Sequence, residues 1–271
     1  MLSPRTTALW LLVLLNACIS TLALLPSGVI FPLYIYPGDN CVAWAPLISA
    51  IRTNTVLQFY LIINPASGPG AAGTQPDTTY QACIATLRST GAAAGGNVKL
   101  LGYVATGYGS RTSSLVTTDI HTYSQWATTY RPEGIFFDEV ATAANQLSTY
   151  QTYSTKVHTD FGTSYIVFNP GAVPATTGYY GISDLIVTFE GFYNDFDASD
   201  LIIGPSSPSR KQAVILHTGP TQIPSQIVQN LASIIKVGAS FITDFPNAIA
   251  YQNFPTDWNG FLGDLVSAQT A

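Results

Sequence analysis

The chain has 271 residues, of which 47% are hydrophobic and only 9% are charged. This composition is rich enough in apolar residues to bury a sizeable core, so it excludes an intrinsically disordered chain. The formal net charge is −5 and no run of Lys or Arg occurs, which argues against a nucleic-acid partner because such binding needs a basic patch.

The N-terminus predicts a secretory signal peptide over residues 1–23. Arg5 precedes the apolar run 8–15, and small or polar residues follow as far as Ala23. A basic start, a short apolar core and a small-residue exit are typical of such signals. Cleavage after Ala23 would give a secreted or extracellular protein. The alternative is an uncleaved anchor through Leu25, which would hold the protein at the cell surface and is the one case in which we expect membrane contact.

Eight short apolar runs follow the signal segment. They cover residues 29–36, 57–63, 98–104, 135–137, 164–168, 185–189, 213–217 and 240–243. Short continuous apolar runs are typical of strands that are buried on both faces, as in parallel sheets. Each run therefore predicts a strand.

Helical patterns separate most of these runs. They cover residues 78–90, 115–130, 147–161 and 224–237, and glycines at 91 and 238 follow two of them as stop signals. Only the link between the sixth and seventh runs lacks a helical pattern. The alternation predicts an α/β protein, a single (β/α)8 TIM barrel over residues 25–271. A doubly wound open sheet is the alternative, since periodicity alone does not count strands securely.

Polar or aromatic residues stand at the carboxyl end of nearly every predicted strand, which is the active-site end of such barrels. The chain has three glutamates, and two of them, Glu139 and Glu190, occupy such ends, whereas Glu133 precedes its strand and is expected at the opposite face. Asn169, His217 and Asp244 are candidates for substrate binding. The residues at the predicted strand ends are Tyr34, Tyr36, Asn64, Tyr103, Thr106, Asp138, Glu139, Asn169, Glu190, His217 and Asp244.

Asp138 and Glu190 are the expected catalytic pair. Two carboxyl groups across a sugar are the usual apparatus of glycoside hydrolysis. Because side chains alternate along a strand, Asp138 is expected to face Glu190, while Glu139 tips outward along the groove. We assign Asp138 as nucleophile or electrostatic stabiliser and Glu190 as acid/base, and the two roles could be exchanged. His217 is either a sugar ligand or a satisfied core histidine.

No cofactor and no metal site are predicted. The histidines and cysteines show no metal-ligand spacing, and the glycine-rich stretch 68–73 lacks the acidic residue that a dinucleotide site needs about 20 positions on. If Cys18 leaves with the signal, Cys41 and Cys83 remain. In an oxidising compartment they would either form a bridge or stay as two separately buried thiols.

Five blocks of sequence carry a resemblance to a known family. They read PLYIYPGDNCVAW, LIINPASGPG, LLGYVATGYG, GIFFDEV and VTFEGFY, and they lie in order from Pro32 to Tyr193. Together they resemble the spherulin-4-like glycoside hydrolases, also called spherulation-specific family 4. The resemblance implies a (β/α)8 barrel in secreted or membrane-anchored microbial proteins.

The resemblance also implies an activity and a site. The activity is endo-acting hydrolysis of α-1,4-linked N-acetylgalactosamine in a galactosaminogalactan-type exopolysaccharide. The acidic trio of the family falls on Asp138, Glu139 and Glu190. The sequence blocks that form the family's substrate groove fall on further residues, which would bind substrate. Those groove residues are Tyr36, Trp44, Asn64 and Tyr103.

Two classes of function are therefore carried forward. The first is a monomeric glycoside hydrolase whose partner is an amino-sugar polysaccharide; an acidic protein would attract a partly deacetylated, cationic polymer. The second is a non-catalytic carbohydrate-binding or developmental cell-wall or coat protein on the same barrel. Such a protein would keep the aromatic groove and lose the acids, and all three acids are present.

Overall fold

The computed structural model describes residues 24–270; the predicted signal peptide lies outside the described residues. Eight parallel strands form a closed barrel in sequence order, and Val29 of the first strand pairs with Ser240 of the last. The predicted (β/α)8 barrel is confirmed. The strands are β1 Gly28–Leu33, β2 Phe59–Ile63, β3 Val98–Ala105, β4 Gly134–Asp138, β5 Tyr165–Phe168, β6 Leu185–Phe192, β7 Gln212–His217 and β8 Ala239–Ile242.

Helices connect the strands, except between β6 and β7, where only short 3-10 turns occur, as the sequence pattern predicted. The α-helices are α1 Ala45–Thr53, α2 Thr78–Ala93, α3 Ser113–Ser124, α4 Leu147–Phe161, α5 Gly178–Gly181, α6 Ser225–Gln229 and α7 Trp258–Thr270. A short π-helix, Asn230–Ile235, continues α6. Within residues 24–270, no helix combines the length and apolarity needed to cross a bilayer.

Close packing between strands and helices builds the core. Phe31 of β1 stacks on Phe241 of β8, with ring centroids 4.7 Å apart. Gly102 of β3 lies so near α3 that an added Cβ would come within 2.8 Å of the Tyr123 ring. A larger residue at Gly102 would therefore push α3 away from the barrel.

Polar contacts stabilise the end of the barrel at which the amino ends of the strands lie. Glu133 forms ion pairs with Arg88 at 3.1 Å and with Lys99 at 3.7 Å, so it lies at the face opposite the strand carboxyl ends, as predicted. The backbone of Ser27 exchanges two hydrogen bonds with the side chain of Gln269, at 2.7 and 3.0 Å. The beginning of β1 is thus joined to the last turn of α7.

A disulfide joins Cys41 to Cys83, with Cα atoms 5.4 Å apart. Of the two alternatives left open by the sequence, the bridge is the one that forms. Cys41 lies in the 3-10 turn Asp39–Trp44 that follows β1, and Cys83 lies in α2. The bridge therefore ties the first loop at the strand carboxyl ends to a neighbouring helix.

Candidate active site

A cleft of about 480 Å³ opens at the carboxyl ends of the strands. That volume lies within the range of small-molecule sites, about 300–1,000 Å³. Five of the residues singled out from the sequence line this cleft, together with five that were not. The lining residues are Tyr108, Asp138, Glu139, Asn169, Pro170, Gly171, Glu190, His217, Asn247 and Tyr251.

Asn169 links the two expected catalytic carboxylates. Its Nδ2 donates to Asp138 Oδ1 at 2.8 Å and to Glu190 Oε2 at 2.6 Å. Asp138 ends β4, Asn169 follows β5 and Glu190 lies on β6, so three adjacent strands bring the groups together. Asp138 faces Glu190, as the sequence predicted. Asn169 was predicted to bind substrate, and in the structure it holds the pair.

Two tyrosines donate to the outer oxygens of the same pair. The Tyr103 hydroxyl donates to Asp138 Oδ2 at 2.9 Å, and the Tyr251 hydroxyl donates to Glu190 Oε1. Burial, reinforced by the nearby carboxylates, raises the pKa of both phenols, so both stay protonated as donors. Tyr34 packs edge-on against both rings, with centroids 5.6 Å away in each case. Each carboxylate therefore has both oxygens held.

The environment of Asp138 favours its neutral form. Burial and, secondly, the charge of Glu190 raise the pKa of Asp138 to about 6, against the opposing effect of the hydrogen bonds from Tyr103 and Asn169. Two carboxyl groups this close do not ionise together easily. The pair therefore holds one proton in mildly acidic solution, as an acid–base couple requires.

We expect Asp138→Asn to stabilise the fold at neutral pH. Because the pKa of Asp138 is about 6 in the folded protein and 3.8 ordinarily, its ionisation opposes folding increasingly as pH rises from about 4 through 6. Above about pH 6, the ionisation of Asp138 lowers the unfolding free energy by about 2–3 kcal/mol. The Asn side chain carries no charge, so the variant should unfold with a free energy about 1–3 kcal/mol higher than the wild type at pH 7. This difference should vanish near pH 4. The conversion is about 1.4 kcal/mol for each pKa unit. Urea unfolding of both proteins across this range would test it; an equal gain at pH 4 would contradict it.

Glu139 reaches the cleft by a route that strand alternation did not predict. β4 ends at Asp138, and Glu139 has a left-handed backbone with φ 52°. Its side chain accepts a hydrogen bond from the Gly107 amide at 3.2 Å. Alternation applies only inside a strand, so the turn, and not the opposite strand face, sets the direction of the Glu139 side chain.

His217 ends β7 and lines the cleft, although only 4% of its surface is exposed. Its Nδ1 lies 3.0 Å from the Thr218 hydroxyl, and the ring of Phe192 meets it edge-on at 4.7 Å between centroids. Burial lowers the pKa of His217, with a smaller opposite effect from Glu190. The residue is hydrogen-bonded within the fold and also borders the cleft, so its role as a sugar ligand stays a prediction.

Trp44 requires a correction. It is fully buried, and its indole N–H donates to the Ile35 carbonyl at 2.9 Å. A side chain without exposed surface offers no face to a sugar, so Trp44 packs beneath the groove rather than lining it. The family resemblance implied a substrate contact, but the buried indole instead packs edge-on against the Tyr80 ring of α2, with centroids 5.8 Å apart.

Tyr36, Asn64 and Asp244 lie outside the carboxylate cleft. Asn64 Oδ1 accepts from the Gly68 amide at 2.8 Å, and both oxygens of Asp244 accept from Thr256, at 2.9 and 2.8 Å. These two side chains hold loops at the strand ends. Tyr36 is 57% exposed. Its role in substrate binding stays a prediction.

Within residues 24–270, no group of three or more His, Cys, Asp or Glu side chains is arranged to hold a metal ion. The carboxylates of the cleft are held by tyrosine and asparagine donors.

Comparison with known proteins places this chain in a family. The model of spherulation-specific family 4 matches residues 28–265. Spherulin-4 of Physarum polycephalum is 32% identical over 250 residues, which are 87% of this chain and 70% of that protein. The crystal structure of Aspergillus clavatus Sph3 in complex with GalNAc superimposes with a TM-score of 0.77 at 33% identity, covering 88% of this chain and 97% of that one.

More distant structures share the barrel alone. An endo-beta-N-acetylglucosaminidase from Cordyceps militaris matches with a TM-score of 0.52 at 14% identity, over 82% of this chain and 84% of that one. The fold is thus one that glycoside hydrolases use. The family match over nearly the whole barrel and the identity to spherulin-4 lead to one conclusion: the chain belongs to spherulation-specific family 4.

Proposed function

We propose that the protein is a secreted or cell-surface glycoside hydrolase that cleaves α-1,4-linked N-acetylgalactosamine within galactosaminogalactan-type exopolysaccharide. The observation that carries the proposal is the Asp138–Asn169–Glu190 arrangement, in which one amide holds two carboxylates in an open cleft. The GalNAc complex of the 33% identical Sph3 supports the choice of sugar. The predicted signal segment supports the location outside the cell.

The stereochemistry of an α-linked N-acetylgalactosamine explains why two protein carboxylates are needed. The bond to the leaving oxygen is axial, and the 2-acetamido group lies on the same side of the ring. Its carbonyl oxygen therefore does not reach the anomeric carbon from the rear. A protein carboxylate or a water molecule must attack instead, and a second group must protonate the leaving oxygen.

The residues of the cleft provide both functions. When the one proton of the pair lies on Glu190, the ionised Asp138 attacks the anomeric carbon. Glu190 gives that proton to the departing oxygen, which yields a glycosyl ester on Asp138 and a free chain end. Glu190 then takes a proton from water, whose oxygen attacks the same carbon and releases Asp138 as a carboxylate. Tyr103 and Asn169 donate to Asp138 and stabilise the charge that it regains.

The spacing of the pair favours this two-step route, which retains the anomeric configuration. Two hydrogen bonds from one nitrogen, at 2.8 and 2.6 Å, keep the nearest carboxylate oxygens within the sum of those lengths. Retaining enzymes separate their carboxyl groups by about 5–5.5 Å, whereas inverting enzymes leave about 6.5–9.5 Å for a water molecule. Proton NMR of the first product formed should therefore show the α anomer; an initial β anomer would contradict the two-step route.

We expect activity to fall in alkaline solution. Because burial and Glu190 raise the pKa of Asp138 to about 6, the pair loses its shared proton as pH rises past that value. kcat/KM should then drop about tenfold per pH unit, since the leaving oxygen no longer receives a proton. A pH–rate profile tests this. A profile that stays flat from pH 6 to 9 would show that no proton held by the pair is needed.

The direct test of the proposed function is to incubate pure protein with galactosaminogalactan-type polysaccharide and follow soluble oligosaccharides by mass spectrometry. Endo-acting hydrolysis predicts a ladder of oligomers from the earliest times. Tight binding of the polymer without any oligomers would favour the non-catalytic carbohydrate-binding protein. If the protein neither binds nor cleaves the polysaccharide, both functions are rejected.

A further inference from the structure

The loop after β3 contains three consecutive left-handed residues. Gly107, Tyr108 and Gly109 have φ values of 57°, 53° and 80°. Glycine adopts this conformation without steric cost, but an aromatic residue does so only under strain. Glycine occupies two of the three positions, so a tyrosine at the middle one requires a reason.

Tyr108 is also unusual in its exposure to solvent. The residue is 65% exposed, although its ring is large and apolar, and it borders the carboxylate cleft. Partial burial, reinforced by the charges of Glu139, Asp138 and Glu190, raises the pKa of Tyr108. Strain and exposure together are typical of a residue kept for contact with a ligand.

Glu139 holds this strained backbone in place. The Tyr108 amide donates to the Glu139 carbonyl at 2.6 Å, and the Gly107 amide donates to the Glu139 carboxylate at 3.2 Å. The Thr106 hydroxyl donates to the same Glu139 carbonyl, also at 2.6 Å. The position of the Tyr108 ring is thereby coupled to the segment that carries Asp138.

We propose that the face of the Tyr108 ring is a stacking platform for a sugar residue next to the bond that is cleaved. One face of a pyranose ring presents C–H groups and packs on an aromatic face, while its hydroxyls stay in water. A platform fixed to the same turn as Asp138 would set the polymer across the carboxylates. This inference rests on the proposed function, because it concerns the binding of its polysaccharide substrate.

The test compares three substitutions in the full chain with N-acetylgalactosamine oligosaccharides as substrate. Tyr108→Ala should raise KM about tenfold, the usual effect of removing a tyrosine anchor, and change kcat less. Tyr108→Phe should behave like the wild type because it keeps the ring. Tyr108→Gly should raise KM as much as Ala while its melting temperature stays at or above that of the wild type, since glycine relieves the strain.

Leu115→Ala is the matched control, because Leu115 is 53% exposed on α3 and does not line the cleft. An unchanged KM in Tyr108→Ala overturns the inference, and so does an equal rise in Leu115→Ala. A Phe variant as defective as Ala would assign the effect to the hydroxyl and overturn the stacking role. If the wild type neither binds nor cleaves the oligosaccharides, the proposed function fails and this inference fails with it.

Discussion

Asp138→Asn and Glu190→Gln are each expected to lower kcat/KM by a factor of at least about 10³. Both substitutions keep the shape of the side chain and remove the carboxylate that attacks or transfers a proton. Asn169 and the two tyrosines still find hydrogen-bonding partners, so polymer binding should persist. Initial rates of oligosaccharide release, measured beside binding by affinity electrophoresis, separate the loss of chemistry from the loss of binding.

Glu133→Gln provides the matched control for these variants. It also removes a carboxylate, but from the opposite end of the barrel, where Glu133 pairs with Arg88 and Lys99. Its turnover should stay close to that of the wild type. Near-normal hydrolysis by either Asp138→Asn or Glu190→Gln would exclude that residue from the chemistry, and Glu139 would become the leading candidate.

The roles within the pair can be separated by small nucleophiles. If Asp138 attacks, then Asp138→Gly with added azide should yield a β-glycosyl azide from an α-linked substrate with a good leaving group. Glu190→Gly should instead yield the α-glycosyl azide, because the intermediate on Asp138 still forms. The reverse pattern of products would exchange the two assignments.

The second large effect is expected from the disulfide. Replacing both Cys41 and Cys83 by Ser should lower the unfolding free energy by about 2–4 kcal/mol, because the bridge closes a long loop in the unfolded chain. The two residues are 42 positions apart in the sequence. Guanidinium unfolding of the double variant, compared with oxidised wild type, measures this difference.

Reductant supplies the control for that experiment. Dithiothreitol should bring the wild type to the midpoint of the double variant and should leave the double variant unchanged. A similar shift in both proteins would show that reductant acts elsewhere. A double variant as stable as the oxidised wild type would mean that the bridge contributes nothing to stability.

Much of the barrel could be predicted because its strands are buried on both faces. Each apolar run corresponds to a strand in the structure, with the first strand ending at Leu33 rather than at residue 36. The helix Trp258–Thr270 was missed, and the pattern over 115–130 was too long, since α3 ends at Ser124. Helix ends depend on local capping and tertiary contacts, which periodicity does not report.

The residues of the site were also predicted only in part. Asp138, Asn169 and Glu190 follow apolar runs directly, so a rule based on strand ends located them. Tyr251 was missed because it lies on the long loop between β8 and α7, and only the folded chain brings it to Glu190. Trp44 was misplaced for the converse reason, since position at a loop says nothing about how deeply a side chain is buried.

The pairing of Ser27 with Gln269 determines how the molecule would be oriented on a support. Both residues lie at the amino ends of the strands, while the cleft opens at the carboxyl ends. A tether attached beside Ser27 or Gln269, whether a lipid bilayer anchor or an engineered link to a bead, would leave from the far side of the barrel. The cleft would then face the surrounding medium, where a long polymer could enter it from either direction.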